Sequence, residues 1–585
     1  SRLIIMAEVE EKVVMTPKSK TANSTTLVIE RKAVQAESSD KIHVAGGDHT
    51  GIIINKENVY ENGVSEPCHA QLEFRVYLVS AATGSHTREA RALRFWFKPQ
   101  LLPGERAHDA QAFFRELVSP QDFPKDYVGF IKKIMKLMQN KYHHLKILEV
   151  ELRQEGSGPP PSETNGVITS ESVIYNYCNG SFIEDNVAQT PVISEQKVLD
   201  MIENAYPNPL TVDYFVTATK WSKAEVKDAL DALEEKGLTR AMHDGLYVRQ
   251  HSVDTQVVKQ MPTLCSSRQP SIAIITALYC EKQAVDAMMD NQETFVRYTT
   301  VGESNVYTLG TIGAHRVVTT KLPSVGRTRE AMTAAGNTTT RLLGCFQKVE
   351  YVFLVGVGGG VPHYTDYAQH VRLGDVVVST PAPDLPDKYV YVFCERAERN
   401  DKGGWDYEVK PYKPANYLLQ DIALRLVAAQ APWDHYVAEG LSRLQGVPGR
   451  WEPPEGTTDR LCVEVGEGAY IEVSHPAPQG DQIDGDPKGR GLRVRCAPVC
   501  GGRAVSGAGE LRAAFAAHAR ALAYDCELDA VLDSVVGNRK DCFVSIRGIA
   551  DYRDGTRGKN WQPHAALSAA AVMKTIICAM DPPTD

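Results

Sequence analysis

The sequence predicts an α/β chain of several domains, in which a mixed β-sheet domain flanked by helices is preceded by a winged-helix domain and a small α+β domain. Three observations predict it. Beyond residue 270, short β-branched runs alternate with helical stretches, as in SIAIITALYCEKQAVDAMMD, VEYVFLVGVGGGVP and VRLGDVVVST. Residues 194–251 read as three helices and a short hairpin. Residues 42–155 gather strand-like runs around one amphipathic helix. At 585 residues the chain is too long for one core.

Composition bounds the function classes. A hydrophobic content of 43% with 23% charged residues is that of an ordinary globular protein. A net charge of −9 and a pI near 6.0 argue against wholesale nucleic-acid binding while leaving room for a local basic patch. No apolar run approaches the roughly 20 residues that span a bilayer, and no signal-peptide core precedes Met6, which reads as the natural start. No membrane partner and a cytoplasmic location are expected. The 12 cysteines are scattered, with Cys496 and Cys500 the one close spacing, so reduced thiols and no metal or cofactor are expected.

In chain order, residues 1–41 are polar with little periodicity and are expected to be disordered. Residues 42–155 hold strand-like runs at 52–54, 72–79, 93–97 and 145–152, and a helix with Tyr127, Phe130, Ile131, Ile134 and Met138 on one face. The pair His143-His144 reads as solvated surface. Residues 156–193, opening GSGPPPSET, read as a linker. In the winged helix, Ser222 and Glu225 make a capping box for the third helix and Gly237 stops it. Such modules often set that helix in the major groove of DNA. Here it carries Glu225, Asp228, Asp231, Glu234 and Glu235 against Lys223, Lys227 and Lys236, which favours a structural or protein-contact role over strong nucleic-acid binding. The α/β domain spans 268–581, with an insertion around 381–490.

Within that domain, three strand ends offer polar groups where open α/β sheets bind ligands. The stretch FVSIRGIADYRDGTRGKNWQPHAA carries Asp551 from a buried strand into a polar turn; the plainer alternative is a cap for the last helix. Glu281 opens the helix after the first strand, where the helix dipole favours an ionised carboxylate able to order a water. Gly356, Gly358, Gly359 and Gly360 let backbone N–H groups approach a ligand oxygen, although tight turns use glycine in the same way. Cys526-Glu527 supplies a carboxylate suited to gripping a vicinal diol.

These motifs, together with YDCELDA and the pair LVGVGGGVP and RLGDVVVS, resemble the nucleoside phosphorylase and methylthioadenosine/adenosylhomocysteine nucleosidase superfamily over about residues 271–580. The last motif resembles the form found in multidomain fungal and animal members. The resemblance implies that Asp551 protonates purine N7, Glu281 activates water, Glu527 with Cys526 holds the ribose, and Ile549 and Val505 lie along the substrate. Purine leaves when its ring nitrogen is protonated as the ribose gains oxocarbenium character, so Asp551 has to carry a proton. Two departures stand out: Val357 replaces the phosphate-binding Ser of hexameric phosphorylases, and Val505 replaces the nucleosidases' stacking Phe, leaving stacking to Tyr552 or the insertion. Arg327 and Arg329, with Arg553, Arg557 and Lys559 beyond the acid, are expected to rim the site and to favour a 5′-phosphorylated substrate, ATP first. Related domains fused to signalling modules act as immune effectors, which implies a stress or antiviral role, a homo-oligomer, and protein partners for the N-terminal half. The alternatives are a phosphate-dependent phosphorylase and a catalytically inactive nucleotide sensor or scaffold.

Overall fold

The computed structural model describes residues 11–33, 42–44, 52–55, 66–79, 86–124, 126–157, 195–250, 254–264, 266–298, 304–323, 328–401, 403–466, 469–478, 491–506, 509–525, 528–553 and 558–583. The chain divides into two compact units. One comprises Ser1–Ile168, Pro362–His370 and Thr457–Pro487, and the other Thr169–Val361, Val371–Gly456 and Lys488–Asp585.

The first unit is a sheet with helices on one face. Its strand order is Leu461–Glu464, Tyr470–Val473, Ala70–Val79, His86–Phe97, Leu145–Ser157, Ser24–Ala33, Glu11–Lys20, Ile53–Asn55 and Ile42–Val44. Alternation sets the faces: Leu72, Phe74 and Val76 are buried, while Glu73 and Arg75 point away and pair with charges on neighbouring strands. The helices Pro103–Leu117 and Tyr127–Asn140 cover the apolar face, with Phe114 and Phe113 packed on Phe74 and Phe95 at ring separations of 5.2 and 5.8 Å. Phe130, Ile131, Ile134 and Met138 face this core, whereas Tyr127 is exposed.

Two expectations are corrected here, and one element comes without an expectation. The expected disorder over 1–41 gives way to strands Glu11–Lys20 and Ser24–Ala33, whose polar ends hide the buried runs Val13–Met15 and Leu27–Ile29. The helix Pro103–Leu117 starts on Pro103, which suits the first helical turn. The insertion around 381–490 is no single appendage, since Tyr470–Val473 pairs antiparallel with Ala70–Val79. The linker expected at 156–193 lies outside the described residues beyond Ser157, as do residues 481–490 at the insertion's tip.

The second unit opens with the winged helix: helices Glu195–Ala205, Val212–Thr219 and Lys223–Glu235, with a sheet in the order Leu210–Thr211, Leu246–Arg249, Thr239–Ala241. Val198, Ile202, Phe215, Val226, Leu230 and Leu233 form its core. Ser222 Oγ accepts from the Glu225 N–H at 3.3 Å and the Glu225 carboxylate accepts from the Ser222 N–H at 2.8 Å, which is the capping box. After the winged helix, Thr255–Val257 adds a parallel strand beside Asp290–Arg297.

Next comes the mixed sheet. The first strand, Ile272–Thr276, lies between His315–Lys321 and the glycine strand Tyr351–Gly360, parallel to both. The acid strand Cys542–Asp551 runs parallel to the glycine strand on its other side. Asn305–Ile312 joins His315–Lys321 antiparallel. The helix Gln562–Cys578 is buried along most of its length against this sheet. Gly548 permits that approach, because a Cβ there would sit 1.9 Å from the Ala565 carbonyl oxygen. On the opposite face lie Arg329–Cys345 and Leu528–Gly537, with Leu342, Leu343, Val531 and Leu532 in the core. No helix among the described residues is long and apolar enough to cross a membrane.

Candidate active site

The parallel strands place three carboxyl ends side by side. From the first, the chain turns at Ala277 and Leu278 into the helix Tyr279–Asp286, and Glu281 folds back over that turn. One carboxylate oxygen accepts from the N–H groups of Ala277 at 2.7 Å and Leu278 at 2.8 Å; the other accepts from the Val357 N–H at 2.8 Å. Glu281 is 2% exposed. Burial pushes its carboxyl upward, and Arg547 followed by the three backbone donors pulls it back. Gly356 makes the arrangement possible: a Cβ there would meet the Glu281 carboxylate oxygen at 2.4 Å and Arg547 Nη1 at 2.7 Å.

Arg547 comes from within the acid strand, opposite Gly356 in the parallel register. Its Nε donates to Asp525 at 2.9 Å and to Ser545 Oγ at 3.0 Å, and both members of the ion pair are buried. Sequence reasoning passed over Arg547 and Asp525. The available signal was an arginine inside an otherwise apolar strand, which has to find a partner where it is buried.

Asp551 ends the acid strand and pairs in register with Gly359. Its carboxylate accepts from the Arg553 N–H at 2.7 Å and the Gly558 N–H at 3.3 Å. From Gly356 to Gly359 is three residues of strand, about 10 Å, so Glu281 and Asp551 stand at two levels along one pair of strands. Gly358 lies against Arg547 and the Tyr524 carbonyl, and Gly360 against Ile549 and Tyr552. Within the glycine run, the Val357 amide is given to Glu281.

Other expected residues fare differently. Ile549 and Val505 pack into core clusters at 0% and 2% exposure. Arg329 is exposed at the start of its helix, behind Thr328, whose hydroxyl accepts from the Ala331 N–H at 3.1 Å. Lys559 is no free rim charge; it pairs with Asp200 of the winged helix at 2.8 Å. Arg327, Cys526, Glu527 and Arg557 lie outside the described residues. No group of three or more His, Cys, Asp or Glu side chains among the described residues is disposed to hold a metal ion.

The winged helix-turn-helix domain family matches residues 184–251. A nucleotide-binding leucine-rich repeat (NLR)-like protein of Hyaloscypha variabilis is 27% identical over 316 residues, covering 53% of this chain. The chain spans 29% of that relative's length. Among solved structures, the 5′-methylthioadenosine/S-adenosylhomocysteine nucleosidase of Neisseria meningitidis with methylthio-immucillin-A aligns with a TM-score of 0.32 and 16% identity, over 53% of this chain and 99% of that one. Futalosine hydrolase of Helicobacter pylori aligns at 0.31 and 13%, over 53% and 99%.

Proposed function

We propose that the chain hydrolyses the N-glycosidic bond of a purine nucleoside or nucleotide, with Glu281 as the base that activates water and Asp551 as the acid that protonates the leaving purine. The observation that most supports this is the cradle around Glu281. Three backbone N–H groups and a buried guanidinium offset part of the burial that raises the Glu281 pKa, at a point where two parallel strands also present Asp551. The Leu278 contact is the capping box of the helix Tyr279–Asp286, while the Val357 N–H comes from a neighbouring strand and Arg547 from the acid strand, a convergence that a general base poised against its own burial needs.

In the reaction, water attacks C1′ as the bond from C1′ to N9 breaks. Glu281 takes a water proton, Asp551 gives its proton to N7, and the bonding electron pair leaves with the base. The products are free purine and ribose or its 5′ phosphate, after which Glu281 loses a proton to solvent and Asp551 regains one. Arg547, tied to Asp525 and Ser545, keeps Glu281 oriented. Water is favoured over phosphate because position 357 is valine and its N–H is committed to Glu281, so a phosphate would find neither hydroxyl nor free amide there. A 5′-phosphorylated substrate such as ATP, a homo-oligomer and an immune effector role belong to the same reading. Arg329 and Arg553 are its described cations, and the NLR-like relative is consistent with the last.

The test is to incubate the full chain with adenosine, methylthioadenosine, AMP and ATP, with and without inorganic phosphate, and to measure free base. Base release without phosphate is expected, with ATP consumed fastest. Release only with phosphate would make the enzyme a phosphorylase. No release from any substrate would leave a sensor or scaffold.

A further inference from the structure

Lys321, the last residue of the strand beside the first one, is 1% exposed and carries no ion pair within 4 Å among the described residues. Its ammonium donates to three carbonyl oxygens: Asn204 at 2.9 Å, Tyr206 at 3.0 Å and its own neighbour Leu322 at 2.9 Å. An ammonium has three hydrogens, so its capacity is filled. Two of the acceptors sit at the carboxyl end of the helix Glu195–Ala205, where the helix dipole presents negative charge to a cation. The winged helix therefore rests on a lysine that belongs to the catalytic sheet.

The contact is not isolated. Tyr206 meets the Tyr279 ring edge-on at 5.3 Å, and Arg249, itself paired with Glu203 at 2.9 Å, stands over Tyr279 at 5.1 Å. Tyr279 lies two residues before Glu281. Asp200 of the same helix pairs with Lys559, which follows the Gly558 N–H that donates to Asp551. Lys321 pairs in register with Thr276, and the Leu322 N–H donates to the Thr276 carbonyl at 2.8 Å, directly before the turn whose amides hold Glu281. One face of the winged helix thus touches the supports of both carboxylates.

We propose that Lys321 is a positioning residue through which the seated winged helix holds the Glu281 turn, so that the module sets the competence of the active site. Its bearing on catalysis rests on the role proposed for Glu281. Facing Lys321 are Glu281 and Cys280 from the helix after the first strand and Glu203 from the winged helix. Burial brings its own pKa down to about 7, against the attraction of those groups. A partner that binds the winged helix and shifts it by a fraction of a turn would release two of the three carbonyl contacts at once.

Hydrogen exchange and pH–rate profiles on the full chain test this. Lys321→Met should raise exchange at the Ala277 and Leu278 amides about tenfold, a size typical of coupling between sites. It should also lower kcat with little change in KM and move the acidic limb of the profile to higher pH, since Glu281 loses a nearby cation. Lys321→Arg, which can still donate to the carbonyls, should recover part of both. Should Lys321→Met fail to fold, Arg249→Met, which strips the cation from Tyr279 without touching the reacting groups, should show the same exchange change at smaller size. Unchanged exchange at 277–278 in the folded variant would overturn the proposal. Exchange is read without turnover, so absence of base release by the wild type would sink the hydrolase reading and still leave the positioning decided.

Discussion

Two buried polar clusters, one in each unit, answer the same problem in opposite ways. In the first unit His363, His370 and His475 form a chain. The His363 N–H donates to His370 Nδ1 at 3.0 Å, which puts the His370 proton on Nε2; that proton goes to His475 Nδ1 at 2.9 Å, and His475 Nε2 donates to the Asp459 carbonyl at 2.9 Å. His363 Nδ1 in turn accepts from the amides of Thr365 and Asp366. Backbone donors aimed at imidazole nitrogens fix neutral tautomers. In the second unit, backbone donors aimed at Glu281 and a guanidinium behind it stabilise a charge. The same main-chain N–H thus fixes a tautomer where it meets a base with one lone pair, and favours the charged form where it meets a carboxylate with lone pairs to spare.

The largest effect expected is a loss of rate in one cluster alone. Glu281→Gln should cut base release more than about a hundredfold and also cost about 1–3 kcal/mol, because the amide –NH2 cannot accept and leaves one backbone N–H of the cradle unpaired. His370→Ala should cost about as much by orphaning its partners while the folded fraction keeps its rate. Denaturant midpoints beside initial rates for both variants decide it; a His370 variant with a collapsed rate at full folding would erase the distinction.

That contrast also marks how far the sequence could be read. Ile272–Thr276, Tyr351–Gly360 and Cys542–Asp551 are continuous apolar, β-branched runs, so the strands and the carboxylates at their ends stand out. Arg547 does not, because one cation inside such a run looks like an outward-facing residue until Gly356 and Asp525 are brought against it. The histidine chain is equally hidden, since His370 and His475 are 105 residues apart. So is the edge pairing of Tyr470–Val473 with Ala70–Val79, which brings Ser474 to Arg75 across a separation of 399 residues. Local periodicity reports elements; it carries no word on which distant segments share a sheet.

Acid should separate the clusters next. Burial holds His363 down at about 4, against an ordinary value of 6.5, with Asp366 opposing and Arg115 and His108 adding to the shift. Between those values the unfolded chain binds more protons than the folded one, so stability falls as pH drops from 6.5 towards 4, by on the order of 2–3 kcal/mol. His363→Gln should flatten that slope if it folds, and the slope's persistence in the variant would assign it elsewhere. Glu281, whose value is raised, contributes with the opposite sign, favouring the folded state as pH falls.

Glycine tests the tightness of each unit. Gly356→Ala puts a methyl group against Glu281 and Arg547, neither of which can retreat from its buried partners, and should cost about 1–3 kcal/mol together with most of the activity. Gly104→Ala, in the first turn of Pro103–Leu117 with nothing within 4 Å of the new methyl group, should stabilise the first unit by about 0.4–1 kcal/mol. Melting curves of the two variants should move in opposite directions.

The smallest effect belongs to charges outside both buried clusters. On the outer face of the first sheet Arg153 meets Glu73 at 2.6 Å, with the side chains 43% and 28% exposed. Glu73 also takes Arg75 at 3.3 Å, and Arg153 also meets Glu151 at 3.5 Å, so each ion keeps a second partner when the first is removed. Water screens both, and holding two long side chains in place costs rotamer entropy that offsets most of the attraction. A double-mutant cycle with Arg153→Met and Glu73→Gln should give a coupling of about 0.2–1 kcal/mol that shrinks in high salt. A coupling above about 2 kcal/mol, insensitive to salt, would mean that this face is shielded from water in the working protein. The paired ladder would then belong with the buried clusters, and the sheet face would have to be covered by another surface.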